Sequence, residues 1–165
     1  MSSQVLRTQV IVEPGLEAWI GFLRAHASLT RQLSARLERA HGLTLNDFDV
    51  LAQLAHAEDR RLRRVDLARS VLLSASGITR LLEGLERAGW VEKGTCTSDA
   101  RVTYAVLTEP GLAKYRGARR SHLADVEALF GSRFTDDERR TLSELLLQLL
   151  EPGDDEAPAC ATEPE

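Results

Sequence analysis

The stretch Thr97-Ser98-Asp99-Ala100-Arg101 sets a carboxylate and a guanidinium two residues apart, directly before the β-type run Val102–Leu107. Residues two apart in an extended arm point to one side, so Asp99 can hold Arg101 while the guanidinium projects from the chain. A cation fixed in this way suits an anionic receptor, and a narrow DNA minor groove with its concentrated negative potential is a natural one. The simpler reading is a turn-stabilising ion pair, worth about 0 to 1 kcal/mol at an exposed site. A second set lies upstream. Ser76, Gly77, Thr79 and Arg80 fall on the outward side of an amphipathic stretch whose inward side is Ile78, Leu81, Leu82 and Leu85. Small residues at a helix N-terminus leave its amides open to phosphate, and the hydroxyl and guanidinium that follow can reach phosphate or base edges.

The charge distribution supports an anionic partner once the average is taken apart. The 165 residues carry a formal net charge of -4, but the tail from Glu151 onward holds six acids and no base, leaving +2 for residues 1–150. Residues 60–101 alone hold nine bases against five acids. With 28% charged and 5% aromatic residues, the composition is that of a soluble, mainly helical protein. Cys96 and Cys160 lack a CxxC spacing, which predicts reduced thiols in the cytoplasm. The N-terminal apolar pieces are too short for a signal peptide or a membrane span.

Several elements must position these residues. After Pro14-Gly15, apolar residues recur at Leu16, Trp19, Ile20, Leu23, Leu33 and Leu37 until His41-Gly42, the spacing of one helix face. A helix of about 25 residues is roughly 38 Å long, more than so small a domain needs, which predicts packing against a second chain. Thr44, with Asp47 three residues on, opens a second helix that carries Phe48, Leu51, Leu54 and Ala55 on one face. Arg60–Arg64 reads as a connector, followed by a brief helix around Asp66 to Val71. Ser74 caps the amphipathic helix, Gly89 closes it, and Trp90–Lys93 and Val102–Leu107 form a hairpin. Thr108-Glu109-Pro110-Gly111 starts a further helix, and the capping box Thr135-Asp136-Asp137-Glu138 starts the last. The order predicts a mainly α fold, a winged helix-turn-helix with a two-stranded β-wing and a helical dimerisation region.

Three groups of residues together resemble the MarR family of regulators. They are Leu67-Ala68, the run Ile78-Thr79-Arg80-Leu81-Leu82-Glu83-Gly84-Leu85-Glu86-Arg87-Ala88-Gly89-Trp90-Val91, and Asp99-Ala100-Arg101 leading to Val106-Leu107-Thr108-Glu109-Pro110-Gly111. They match a recognition helix closing in Leu-Glu-x-x-Gly-(apolar)-Val, a wing with Asp-x-Arg, and a Leu-Thr-x-x-Gly helix start. The resemblance implies a homodimeric, sequence-specific DNA-binding transcriptional regulator, typically a repressor on a pseudopalindromic operator in double-stranded DNA, released by a small aromatic or anionic ligand. Residues 1–150 would be the domain, with dimerisation helices at about 16–41 and 109–150, a DNA-binding lobe at about 44–108, and 151–165 an acidic, disordered tail. By position, Arg101 is similar to the family's minor-groove arginine, with Asp99 as its anchor. Ser74, Ser76, Gly77, Thr79 and Arg80 match the recognition-helix contacts, and Lys93 a wing phosphate contact. Trp19, Phe22, His26 and Phe48 match the helices that line the family's ligand cleft. No cofactor, catalytic residue or membrane contact is implied.

Other readings rest on fewer residues. A winged helix can serve protein contacts instead of DNA. Glu38, His41 and His122 are available to a metal but lack ligand spacing, and Cys96 lies near Lys93 and Arg101 in a setting that can favour a thiolate. For an enzyme there is no glycine-rich phosphate loop, and Ala75-Ser76-Gly77 lacks the nucleophile-elbow context.

Overall fold

A computed structural model describes residues 15–71, 75–95 and 103–150. The described residues form α1 (Leu16–His41), α2 (Leu45–His56), β1 (Arg61–Arg63), α3 (Arg64–Ser70), α4 (Ala75–Arg87), β2 (Val91–Thr95), β3 (Thr103–Leu107), α5 (Glu109–Leu129) and α6 (Asp136–Leu147). Single 3-10 turns at Glu58–Arg60 and Gly131–Arg133 precede β1 and α6. Helix starts follow the expected chemistry. The Thr44 side chain accepts from the Asp47 amide and the Asp47 carboxylate accepts from the Thr44 amide, and Thr135 and Glu138 repeat the exchange at α6.

The basic segment Arg60–Arg64 corrects the sequence reading, since it is not a connector. Arg61–Arg63 pairs antiparallel with β3, placing Leu62 opposite Ala105, so the sheet has three strands in the order β1-β3-β2. Leu62 supplies the reason: it packs against the core while Arg61 and Arg63 face outward.

Helix α2 forms the centre of the core. Phe48, Val50, Leu51, Ala52 and Leu54 are buried in one cluster with Leu67 of α3, Ile78, Leu82 and Leu85 of α4, Leu107 of β3, and Leu112 and Tyr115 of α5. Burying one such Leu or Phe stabilises the fold by about 1.5 to 3 kcal/mol. Helices α1 and α6 contribute far less to it. Leu37 is the one buried residue of α1, α6 buries none, and Leu16, Trp19, Phe22, Leu23, Leu145 and Leu147 are exposed. Polar ties hold α1 to α5, an Arg36–Asp125 ion pair at 2.6 Å and a 2.7 Å hydrogen bond between His41 Nε2 and Ser121 Oγ.

A tight joint links α4 to α5. At the end of α4 the Gly89 amide donates to the Glu86 carbonyl and the Trp90 amide to the Leu85 carbonyl, a Schellman closure that needs the left-handed φ of 74° at Gly89. The Thr108 hydroxyl then donates to the Gly89 carbonyl at 2.7 Å and the Thr108 amide to the Trp90 carbonyl at 3.1 Å. The first turn of α5 comes so near that a Cβ at Gly111 would lie 2.0 Å from the Trp90 oxygen. Contact, not conformational freedom, requires glycine there.

Candidate nucleic-acid interface

Helix α4 presents the hydroxyl and guanidinium surface that its sequence predicts. Thr79 and Arg80 are exposed, Gly77 is half-buried in the first turn, and Glu83 and Arg87 continue the outward side. Ser76 lies in the same first turn. Ser74, Cys96, Asp99 and Arg101 lie outside the described residues. Lys93 stands on β2, paired with Ala105 of β3.

The cations behind this surface are tied to partners, some near and some distant in sequence. Arg60 Nη1 meets Glu109 Oε1 at 2.5 Å, and Arg61 lies 3.4 Å from the Asp59 carboxylate with its guanidinium 5.4 Å from the Tyr104 ring centre. Glu86 of α4 holds two more: Oε1 accepts from Arg64 Nη2 at 2.9 Å, and Oε2 lies 3.5 Å from Lys93 Nζ. One carboxylate therefore joins α3, α4 and β2. The local excess of positive charge read from composition is partly neutralised inside the lobe. The partners of Glu86, 22 residues back and in the next strand, leave no periodic signal in the sequence.

The four ligand candidates do not meet. Trp19, Phe22 and His26 stack along exposed α1, with ring centroids 6.1 and 6.3 Å apart. Phe48 is 0% exposed, packed on Tyr115 at 5.5 Å and His122 at 4.4 Å. A cavity of about 420 Å³ lies elsewhere, between α2 and α5, lined by His56, Arg60, Leu112, Tyr115, Arg116 and Arg119 together with Ala55. Its volume falls in the usual range for small-molecule sites. The His56 ring is 3.1 Å from the Tyr115 hydroxyl, and burial followed by the nearby Arg119 lowers its pKa, which keeps it neutral at pH 7. Arg60 reaches this lining from a backbone with two consecutive left-handed residues, Asp59 and Arg60, at φ 51° and 53°.

The possible metal ligands are separated as well. Glu38 accepts from Ser34 at 3.2 Å, His41 bonds Ser121, and His122 stacks on Phe48; no three His, Cys, Asp or Glu among the described residues lie close enough to hold an ion. No helix among them is long and apolar enough to cross a membrane.

Comparisons with known proteins agree with this architecture. The MarR family model matches residues 41–102. AbsC, a MarR family transcriptional regulator from Streptomyces coelicolor, is 33% identical, with 80% of this chain and 88% of that chain covered and a TM-score of 0.76. Sco3205 from the same organism, a MarR family regulator solved in complex with DNA, is 28% identical over 86% of this chain and 90% of its own, with a TM-score of 0.78. The transcriptional regulator MhqR of Bacillus subtilis is 26% identical over 136 residues, covering 82% of this chain and 91% of that protein. The chain belongs to the MarR family of transcriptional regulators, and its fold is the family's winged helix-turn-helix.

Proposed function

We propose that two copies of the chain associate through α1 and the helices after Glu109, and that each lobe of residues about 44–108 lays α4 in a major groove of a pseudopalindromic operator. Residues 1–150 then act as one domain, residues 151–165 as an acidic tail, and the protein works in the cytoplasm as a repressor. Ser74, Ser76, Gly77, Thr79 and Arg80 supply the contacts of α4, Lys93 meets a phosphate, and Arg101, anchored by Asp99, enters the minor groove. The observation that carries this reading is the outward Thr79 and Arg80 surface on a helix whose inward face is locked into the core. The likeness to Sco3205, solved with DNA, supports the same use here. The exposed apolar side chains of α1 and α6 support association, because a row of that kind is stable in water only when covered.

A small aromatic or anionic ligand releases the operator, and the α2–α5 cavity is its seat. Three arginines line it beside Tyr115 and Leu112, with no carboxylate in the lining. Phe48 backs Tyr115 from within, while Trp19, Phe22 and His26 belong to the seam between the two chains.

Fluorescence-anisotropy titration against DNA from the gene's own upstream region and a scrambled duplex, at two salt concentrations, tests the DNA reading. Tight, sequence-dependent binding that weakens steeply with salt is expected, with half-site centres about 10 base pairs apart. Weak binding indifferent to sequence would favour a winged helix that meets protein.

A further inference from the structure

Glu86 holds two basic residues at the edge of the DNA-reading surface while remaining largely buried itself. Its side chain is 19% exposed, Arg64 is 23% exposed and Lys93 58%. The carboxylate projects from the last turns of α4, yet its partners open α3 and stand on β2. A surface ion pair is ordinarily weak because both partners retain water and mobility. Here the acceptor is mostly withdrawn from water: it takes a 2.9 Å hydrogen bond from Arg64 and keeps the more exposed Lys93 within ion-pair reach at 3.5 Å.

That position bears on how a basic residue reads DNA. A mobile lysine or arginine meets any phosphate within reach, which raises affinity for every sequence alike. A held one meets phosphate only where the backbone of the duplex lies at the right place. We propose that Glu86 is a specificity-determining positioning residue: it restrains Arg64 and Lys93 so that they contribute to the operator complex and not to general attraction for DNA. The inference rests on the DNA-binding reading given above. Glu86 touches no base or phosphate in this account and acts through its two partners. Its own negative charge adds to the effect by disfavouring phosphates that approach out of register.

Glu86→Gln removes the charge and retains the shape. In anisotropy titrations with the full chain, the variant should bind a scrambled duplex about ten-fold more tightly than the parent at low salt. The ratio of operator to scrambled affinity should fall by about the same factor. The slope of log affinity against log salt for scrambled DNA should steepen by between about 1 and 2, one counterion for each cation released. Adding Lys93→Gln to Glu86→Gln should return part of that slope. Glu86→Asp, which keeps the charge, should retain the parental slope.

A purely structural role for Glu86 would lower operator affinity without steepening the slope, and that result overturns the proposal. Should Glu86→Gln lose its cooperative melt, Lys93→Gln alone decides: it should lower the operator slope by about 1 and the scrambled slope by less than half as much. Equal losses on both duplexes overturn the proposal. Failure of the parent chain to distinguish operator from scrambled DNA would instead remove the functional reading beneath it.

Discussion

The lobe around α2 and the pair α1 and α6 handle apolar surface in opposite ways. Phe48, Leu51, Leu54, Leu67 and Leu82 are all at 0% exposure within one chain, while Trp19 of α1 stands at 55% and Leu145 and Leu147 of α6 at 55% and 54%. The difference separates two kinds of stability. The lobe completes its core from its own helices and strands, so its integrity is a folding quantity. In α1 and α6 these apolar side chains find no cover among the described residues, and in the association proposed above their contribution depends on protein concentration.

Substitutions can break this contrast. Phe48→Ala removes a ring packed on Tyr115 and His122 and should cost about 3 to 5 kcal/mol in urea unfolding, with the loss independent of protein concentration. Trp19→Glu should leave the fold intact and weaken self-association by about 2 kcal/mol or more, read by sedimentation equilibrium. An unchanged oligomeric state would show that the α1 row is not the seam. Arg101→Ala should lower operator affinity by on the order of 1 to 3 kcal/mol with unchanged melting, separating the lobe's surface from its core.

The smallest expected effect is a matter of pH. Burial raises the pKa of Asp49 in α2 from 3.8 to about 6. Above pH 6 the side chain is charged in both states, and the folded state bears the cost of an ill-solvated carboxylate. As pH falls between about 6 and 4, the folded chain takes up a proton that the unfolded chain does not, so this group makes the protein more stable with falling pH. Asp49→Asn should therefore stabilise the lobe at pH 7 by on the order of 1 kcal/mol, an amount reduced by residual solvent contact, and the gain should vanish near pH 4. A gain that persists there would trace the effect to packing.

Local rules made much of the molecule legible. The hydroxyls of Thr44, Thr108 and Thr135 mark the helix starts, Gly89 marks an end, and Ile78, Leu82 and Leu85 define an inward stripe, each settled within a few residues of chain. Strand β1 escaped because Arg61-Leu62-Arg63 is too short for alternation to register and its partner β3 lies some forty residues on. Separation along the chain also hid the partners of the basic run, since Arg60 finds Glu109, 49 residues on, and Arg64 finds Glu86, 22 residues on, only after folding. For a ligand, the sequence offers Trp19, Phe22 and His26 on the first helix and Phe48 on the second, while the cavity between α2 and α5, whose His56 and Tyr115 stand 59 positions apart, leaves no signal in local spacing.

The joint at Gly89, Trp90, Thr108 and Gly111 turns α4 and α5 into one lever. Helix α5 spans 21 residues, about 31 Å at the usual rise, so tilting it by about 5° sweeps its far end through about 3 Å, close to the 3.4 Å step between stacked base pairs. With so little play at the fulcrum, α4 must follow that tilt. In the dimer proposed above, the angle between two such levers sets the distance between half-sites.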